Sequence, residues 1–270
     1  MMFVDNDRII FTLRALNRRW FNPSLLRRRY FDGHIVSMHQ SGSHWLKNML
    51  AHVLMEVYGL PPMKHIQDDS IVGHTKSPPI YKHIPRLVHS HTLPHALTLR
   101  LPFVHFPKYL VLVRDIKHSL ISHFERFKQR YNNISFTEYL HGDISGKRFF
   151  TDIYSRIIFM NEWGRVLATG SDKISFIRYE DMSKMPQESL EKALKFFNIE
   201  NYTSGFIENA VNACNRENMS RKPNPDVDTT VVRVNTGKNP DDYFNPENED
   251  FFRATCKNYL EYDFGYQLIN

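Results

Sequence analysis

The sequence predicts an α/β fold in which helices flank a central, mainly parallel sheet. Two observations carry this. Short apolar strands alternate with helical stretches along the chain, the pattern of a sheet covered on both faces. Residues 34–58, HIVSMHQSGSHWLKNMLAHVLMEVY, read as a buried strand, a small polar loop around one glycine, and a helix. The 270 residues carry no Gly/Ser linker and no internal repeat, so one domain over residues 34–270 is expected behind an N-terminal segment, residues 1–33.

The elements follow in order. Residues 8–30 alternate arginines with Ile, Phe, Leu and Trp at helical spacing, broken at Pro23. Such a basic amphipathic segment either lies on an anionic membrane surface or packs its apolar face on the core with its arginines solvated. Residues 34–38 are the first strand. From Trp45 the apolar residues Leu46, Met49, Leu50, Val53, Leu54 and Val57 keep helical spacing until Gly59 and Pro61. Residues 60–85 read as a long loop. Residues 87–91 form a short strand, 109–113 a clearer one, and 116–130 the helix after it. Further helices are expected at 135–141 and 151–168. The strand 174–178 ends at Tyr179-Glu180-Asp181, and helices follow at 187–197, 203–216 and 247–262. Residues 217–245 look irregular.

Composition narrows the function. No apolar run reaches membrane-spanning length, and residues 1–33 lack the apolar core of a secretory signal. Cys214 and Cys256 have no metal-ligand spacing and fit a reducing, cytoplasmic compartment. Net charge of +6 suggests anionic ligands. A local basic pocket for a phosphate-rich small molecule meets that, and nucleic acid is not expected as a partner.

Strand, tight loop and helix together present unpaired backbone N–H groups and the positive helix end to an anion. Gly42 lets the backbone approach a ligand, and Ser41 and Ser43 add hydroxyls; the alternative is an ordinary connection whose serines cap the helix. The loop is not a Walker A motif, because it has one glycine and no lysine. No H-E-x-x-H, Cys/His cluster or G-x-S-x-G elbow is present, so no metal is expected. In residues 111–124, VLVRDIKHSLISHF, Arg114 leaves a strand end and Ser122 lies eight residues on, along the next helix. The two can converge on one phosphate; alternatively Arg114 caps or ion-pairs locally.

These segments together resemble the sulfotransferases that use 3′-phosphoadenosine 5′-phosphosulfate (PAPS), with their P-loop-like nucleotide-binding fold. Their phosphosulfate loop reads Y-P-K-S-G-T-T-W; residues 38–45 read MHQSGSHW. Their Arg-to-Ser 3′-phosphate motif is matched by Arg114 and Ser122. Their K-T-H-L-P segment, which carries the catalytic base, is similar to residues 88–94, VHSHTLP, and places His91 there. Their Y-E-D segment is reproduced at Tyr179. Their C-terminal nucleotide loop is matched weakly by Arg233, Val234 and Asn235.

The resemblance implies sulfuryl transfer from PAPS to a hydroxyl or amine, with His91 as general base and 3′,5′-ADP as product. Backbone N–H groups of Ser41, Gly42, Ser43, His44 and Trp45 would hold the phosphosulfate. Trp45 would stack on adenine or pack under the loop. Arg114, Ser122 and Arg233 would hold the 3′-phosphate, and Tyr179 would contact the adenine side. One departure matters: the catalytic lysine of the loop is Gln40 here. His39, His44, Lys47 and Lys117 are the candidates for the missing charge. The alternatives are a catalytically impaired nucleotide-binding protein of the same fold, or a nucleotide kinase of related architecture. The acceptor is expected to be a small molecule, lipid or glycan, walled by residues 60–85 and 217–245, with peripheral membrane contact through residues 8–30.

Overall fold

The computed structural model describes residues 6–149, 151–220 and 239–268. The chain opens with helices α1 (Asn6–Trp20) and α2 (Ser24–Arg27), separated at Pro23 as expected, and a 3₁₀ turn, Arg28–Tyr30. Strand β1 (Gly33–Ser37) then leads through the loop to α3 (Ser43–Tyr58). Next come β2 (Gly73–His74), β3 (Leu87–Ser90), β4 (Lys108–Val113), α4 (Ile116–Phe127), α5 (Phe136–His141) and α6 (Ile153–Leu167). After β5 (Ile174–Arg178) the described chain is helical: α7 (Tyr179–Lys184), α8 (Pro186–Phe196), α9 (Ser204–Ala213), α10 (Arg216–Ser220) and α11 (Pro246–Tyr259).

The five strands form one sheet, in the order β2-β3-β1-β4-β5, with every pairing parallel. The expected α/β fold is therefore present. Successive residues of β4 point to opposite faces and feed two separate cores. Val111 and Val113 join one core with residues of α4, α5, α6 and α11. Leu110 and Leu112 join the other with residues of α3, α8 and α9. Caps fix the helix starts. The Asp115 side chain accepts from His118 N–H at α4, Ser135 and Glu138 form a capping box at α5, and Asp152 and Ser155 do so at α6.

Besides α10 and the 3₁₀ turn Pro240–Asp242, which fall in or at the edge of the stretch read as irregular, three elements differ from the sequence reading. The loop 60–85 contains β2, whose two residues are too few to show alternation. The strand end read at Tyr179-Glu180-Asp181 is the first turn of a helix not expected there, α7. Helix α3 begins at Ser43, two residues before its apolar pattern, because the polar first turn faces the loop.

The amphipathic N-terminus inverts the packing expected of it. Of α1, Phe11 is buried in the core, while Leu13, Leu16 and Trp20 are exposed. Arg14 and Arg19 turn inward instead. Arg14 pairs with the fully buried Asp152 at 2.9 Å, and Arg19 pairs with the buried Glu162 at 3.1 Å. Two carboxylates of the α6 region would be stranded without counter-charges, and that requirement outweighs burial of a few apolar side chains.

Candidate functional site

The parallel register brings the predicted residues to one edge of the sheet. Val36 pairs with Ser90, so Ser37, the last residue of β1, and His91, just past β3, lie side by side at the strand ends. Val113 pairs with Arg178, so Arg114 and Tyr179 do the same on the other side of β1. Ser37 is also the partner of Leu112 on β4. The loop between β1 and α3 sits at the centre of this edge, beyond the carboxyl ends of the strands, where ligands of open α/β sheets bind.

The loop is held from below. Ser41 Oγ donates to the Met38 carbonyl at 2.6 Å and lies 3.2 Å from that of Leu112, so its hydroxyl points into the protein. Ser119 Oγ donates to the His39 carbonyl at 2.8 Å and accepts from Nε of the buried Arg156 at 2.8 Å. Gln40 (φ 62°) and Gly42 (φ 83°) take left-handed backbone conformations that turn the chain upward. Gly42 is required by space as well, since a Cβ there would lie 2.8 Å from Tyr179 Cδ2. The result is a run of N–H groups, from Gln40 to His44, with no protein acceptor among the described residues. They stand at the N-terminus of the sixteen-residue helix α3, where an anion is favoured by N–H groups and dipole together.

Arg114, Ser122, Trp45 and Tyr179 surround that cradle. Arg114 Nη1 donates to the Gln40 carbonyl at 2.9 Å, and its guanidinium lies 4.3 Å from the centre of the Tyr179 ring. Ser122 Oγ donates to Gln40 Oε1 at 3.4 Å. Trp45 meets Tyr179 edge to face at 6.4 Å. Arg114 Nε and Trp45 Nε1 are buried donors without a partner among the described residues. Unpaired donors beside an open N–H cradle fit a ligand that brings a second anion and a planar ring.

His91 closes the site on the opposite side. Its Nδ1 is 2.8 Å from the Ser37 carbonyl, which can only accept. Nδ1 therefore carries the proton and Nε2 keeps its lone pair. His39 stacks on the His91 ring at 4.0 Å. Burial pushes His91 down to about 4, against the favourable Ser37 contact, so the ring is neutral at physiological pH. A cavity of about 330 Å³ opens beside it. Its wall is the end of α1 and the turn after it, with Asn17, Arg18, Phe21 and Asn22 facing His91, Thr92 and Leu93. Residues 60–85, expected as an acceptor wall, do not line it.

The candidate replacements for the loop lysine are all committed elsewhere or uncharged. Lys47 is fully buried and donates to Asp69 Oδ1 at 2.5 Å. Lys117 pairs with Glu249 at 2.6 Å. Burial pushes His44 down to about 3, and burial plus the neighbouring His91 push His39 lower still. Sequence reasoning missed Asp69, Ser119, Arg156 and Arg18. Arg156 had one available signal, since it shares the inward stripe of α6 with Ile153, Ile157 and Met160. Arg233, Val234 and Asn235 lie outside the described residues.

Comparison with known proteins identifies the family and the fold. The profile of the sulfotransferase domain family matches residues 32–262. A flavonol sulfotransferase-like protein of Flaveria bidentis is 24% identical over 212 residues, which is 70% of this chain and 65% of that protein's length. The chain thus spans just under two thirds of that relative. Among solved structures, mouse sulfotransferase SULT7A1 complexed with PAP superposes with a TM-score of 0.58 at 19% identity over 84% of each chain. Retinol dehydratase in complex with androsterone and inactive cofactor PAP gives 0.53 at 14% identity, covering 87% of this chain and 82% of its own. At these identities the two structures speak for the fold alone.

Proposed function

The chain belongs to the sulfotransferase domain family, and on that premise we propose that it moves a sulfuryl group from PAPS to a hydroxyl or amine of an acceptor. The observation that carries the reading is the pairing of two features across β1. One is the row of unpaired N–H groups from Gln40 to His44. The other is His91, oriented through Nδ1 by the Ser37 carbonyl.

Bound PAPS would supply the sulfuryl group and its leaving group. The loop N–H groups of Ser41, Gly42, Ser43 and His44 would bind the 5′ end, with Ser41 contributing its N–H alone because its hydroxyl is turned inward; the Trp45 N–H, expected to join them, donates instead to the Gly42 carbonyl at 3.0 Å. Arg114 and Ser122 would bind the 3′-phosphate, together with Arg233. Tyr179 and Trp45 would border the adenine. The acceptor oxygen enters from the cavity beside His91 and forms its bond to sulfur as the bond from sulfur to the 5′-phosphate oxygen breaks. Its proton passes to His91 Nε2, and 3′,5′-ADP leaves. General-base assistance of this kind contributes about 10²–10⁴-fold. Gln40 offers a neutral amide where the family has a lysine, so less charge is offset on the departing oxygen and turnover is slow.

Radiolabelled sulfate transferred from PAPS to an acceptor mixture, with 3′,5′-ADP binding measured by calorimetry, tests this. Label transfer by the native protein that is lost in His91→Ala supports it. Binding of 3′,5′-ADP without transfer to any acceptor would instead make the chain a nucleotide-binding protein of the same fold. A cytoplasmic location is supported by Cys214 and Cys256, both buried as free thiols. Peripheral membrane contact is supported by exposed Leu16, Trp20, Phe21 and Leu26. Flotation with anionic vesicles should weaken in a Leu16→Ser, Leu26→Ser double variant, and unchanged flotation would remove that reading.

A further inference from the structure

Helix α1 carries a cation that makes no ion pair or hydrogen bond among the described residues, and the structure fixes that helix against the segment bearing His91. Three hydrogen bonds join the end of α1 to the chain after β3. Ala96 N–H donates to the Arg19 carbonyl at 2.9 Å. Asn22 Nδ2 donates to the Pro94 carbonyl at 3.2 Å, and His95 Nε2 to the Trp20 carbonyl at 2.8 Å. With the Arg14–Asp152 and Arg19–Glu162 pairs, they set where the cavity wall stands relative to His91.

Arg18 lies in that wall. Its neighbours on the helix, Arg14 and Arg19, are neutralised by carboxylates. The Arg18 side chain has no hydrogen bond or ion pair of its own among the described residues. It is half-buried, and burial together with the charge of Arg14 lowers its proton affinity, opposed by Asp152; a guanidinium nevertheless stays charged. The same charge disfavours protonation of His39, which stacks on His91. A desolvated guanidinium without a partner is costly, and an oxyanion offered by a ligand relieves it with charge-assisted hydrogen bonds. A second cavity of about 520 Å³ shares Asn17 and Arg18 with the first and continues past Ile10 and Leu13 to Gly146. Arg18 thus stands where the two cavities meet.

We propose that Arg18 recognises the acceptor, and that the acceptor bears an oxyanion, a carboxylate or a phosphate or sulfate ester, close to the hydroxyl or amine that is sulfated. This rests on the sulfotransferase reading above. The inner cavity holds the reacting group beside His91, Arg18 pairs with the oxyanion, and the remainder of the acceptor extends along the outer groove.

The charge of the product reads the acceptor class before its identity is known. The full-length protein is incubated with labelled PAPS and the small-molecule fraction of a cell extract, and products are resolved by anion exchange and mass spectrometry. A sulfated neutral acceptor carries one negative charge; an acceptor already anionic gives two or more. The expected products carry two or more. In Arg18→Gln, KM for the isolated acceptor rises about tenfold or more, the loss of one charge-assisted hydrogen bond. KM for PAPS and affinity for 3′,5′-ADP stay unchanged, and Arg18→Lys restores part of the loss. Singly charged products would overturn the inference and leave the sulfotransferase reading standing. So would Arg18→Gln lowering kcat at unchanged KM. Absence of any labelled product would refute the sulfotransferase reading itself, and the inference with it.

Discussion

Replacing Gly42 by alanine perturbs the loop at its tightest point, and the cost can be worked from two parts. The residue sits at φ 83°, and a left-handed conformation costs a non-glycine residue about 1–2 kcal/mol. The new Cβ would also lie 2.8 Å from Tyr179 Cδ2 and 3.0 Å from Met182 Cε, and forcing a methyl into such a space costs about 1–3 kcal/mol. Together they give roughly 2–5 kcal/mol, or a fall in Tm of about 4–15 °C for a chain of this size. Relief of the clash moves the Tyr179 ring, which packs under Arg114 at 4.3 Å. Nucleotide affinity should therefore fall as well, by about tenfold or more, the worth of one charge-assisted contact. Gly59→Ala is the matched control. Gly59 also has a positive φ, 62°, but nothing lies within 4 Å of its Cβ position. It should lose only the backbone part, about 1 kcal/mol, and bind 3′,5′-ADP normally. Thermal melting and calorimetry measure both variants. Equal loss of Tm with unchanged nucleotide affinity in Gly42→Ala would refute the view that this loop is a close-fitting part of the site.

Further outcomes follow from the same structure. Arg14→Ala strands the buried Asp152 and should cost about 3–5 kcal/mol in chemical denaturation; a change below about 1 kcal/mol would mean that α1 is not packed as described. Burial holds His34 and His91 down to about 4, His44 to about 3 and His123 to about 2. Below the ordinary value of 6.5 the unfolded chain takes up protons that the folded one refuses. Stability should then fall by about 1.4 kcal/mol per pH unit for each histidine, and circular dichroism should show acid unfolding that begins below about pH 6.5. Over the same window kcat/KM should show no inflection near 6.5, because His91 stays neutral there. Gln40→Lys should raise kcat, since Lys47 and Lys117 are tied to Asp69 and Glu249; a fall would show that another cation already serves the leaving oxygen.

Strands β1, β3, β4 and β5 and the central loop were legible because their signals are local. Apolar runs mark β1, β4 and β5, and the strings around Gly42, His91, Arg114 and Tyr179 are short enough to read directly. Parallel register then does the rest, aligning Ser37 with His91 and Arg114 with Tyr179. The seating of α1 was not legible. Periodicity says that a helix has two faces and not which one is buried. Here the choice is made by Asp152, 138 residues from Arg14 along the chain, and by Glu162. The fate of Lys47 was hidden for the same reason, because its partner Asp69 lies in a segment with no regular pattern. Charge pairing across long separations leaves no trace in local composition, yet it decides which cations remain available at the site.

The most direct test of the account is transfer of labelled sulfate from PAPS by the native protein and by His91→Asn, with 3′,5′-ADP affinity measured on both. The account predicts labelled product from the native protein, a loss of about 10²-fold or more in His91→Asn, and equal nucleotide affinity. Full transfer activity in His91→Asn, or a native protein that fails to bind 3′,5′-ADP, would contradict it.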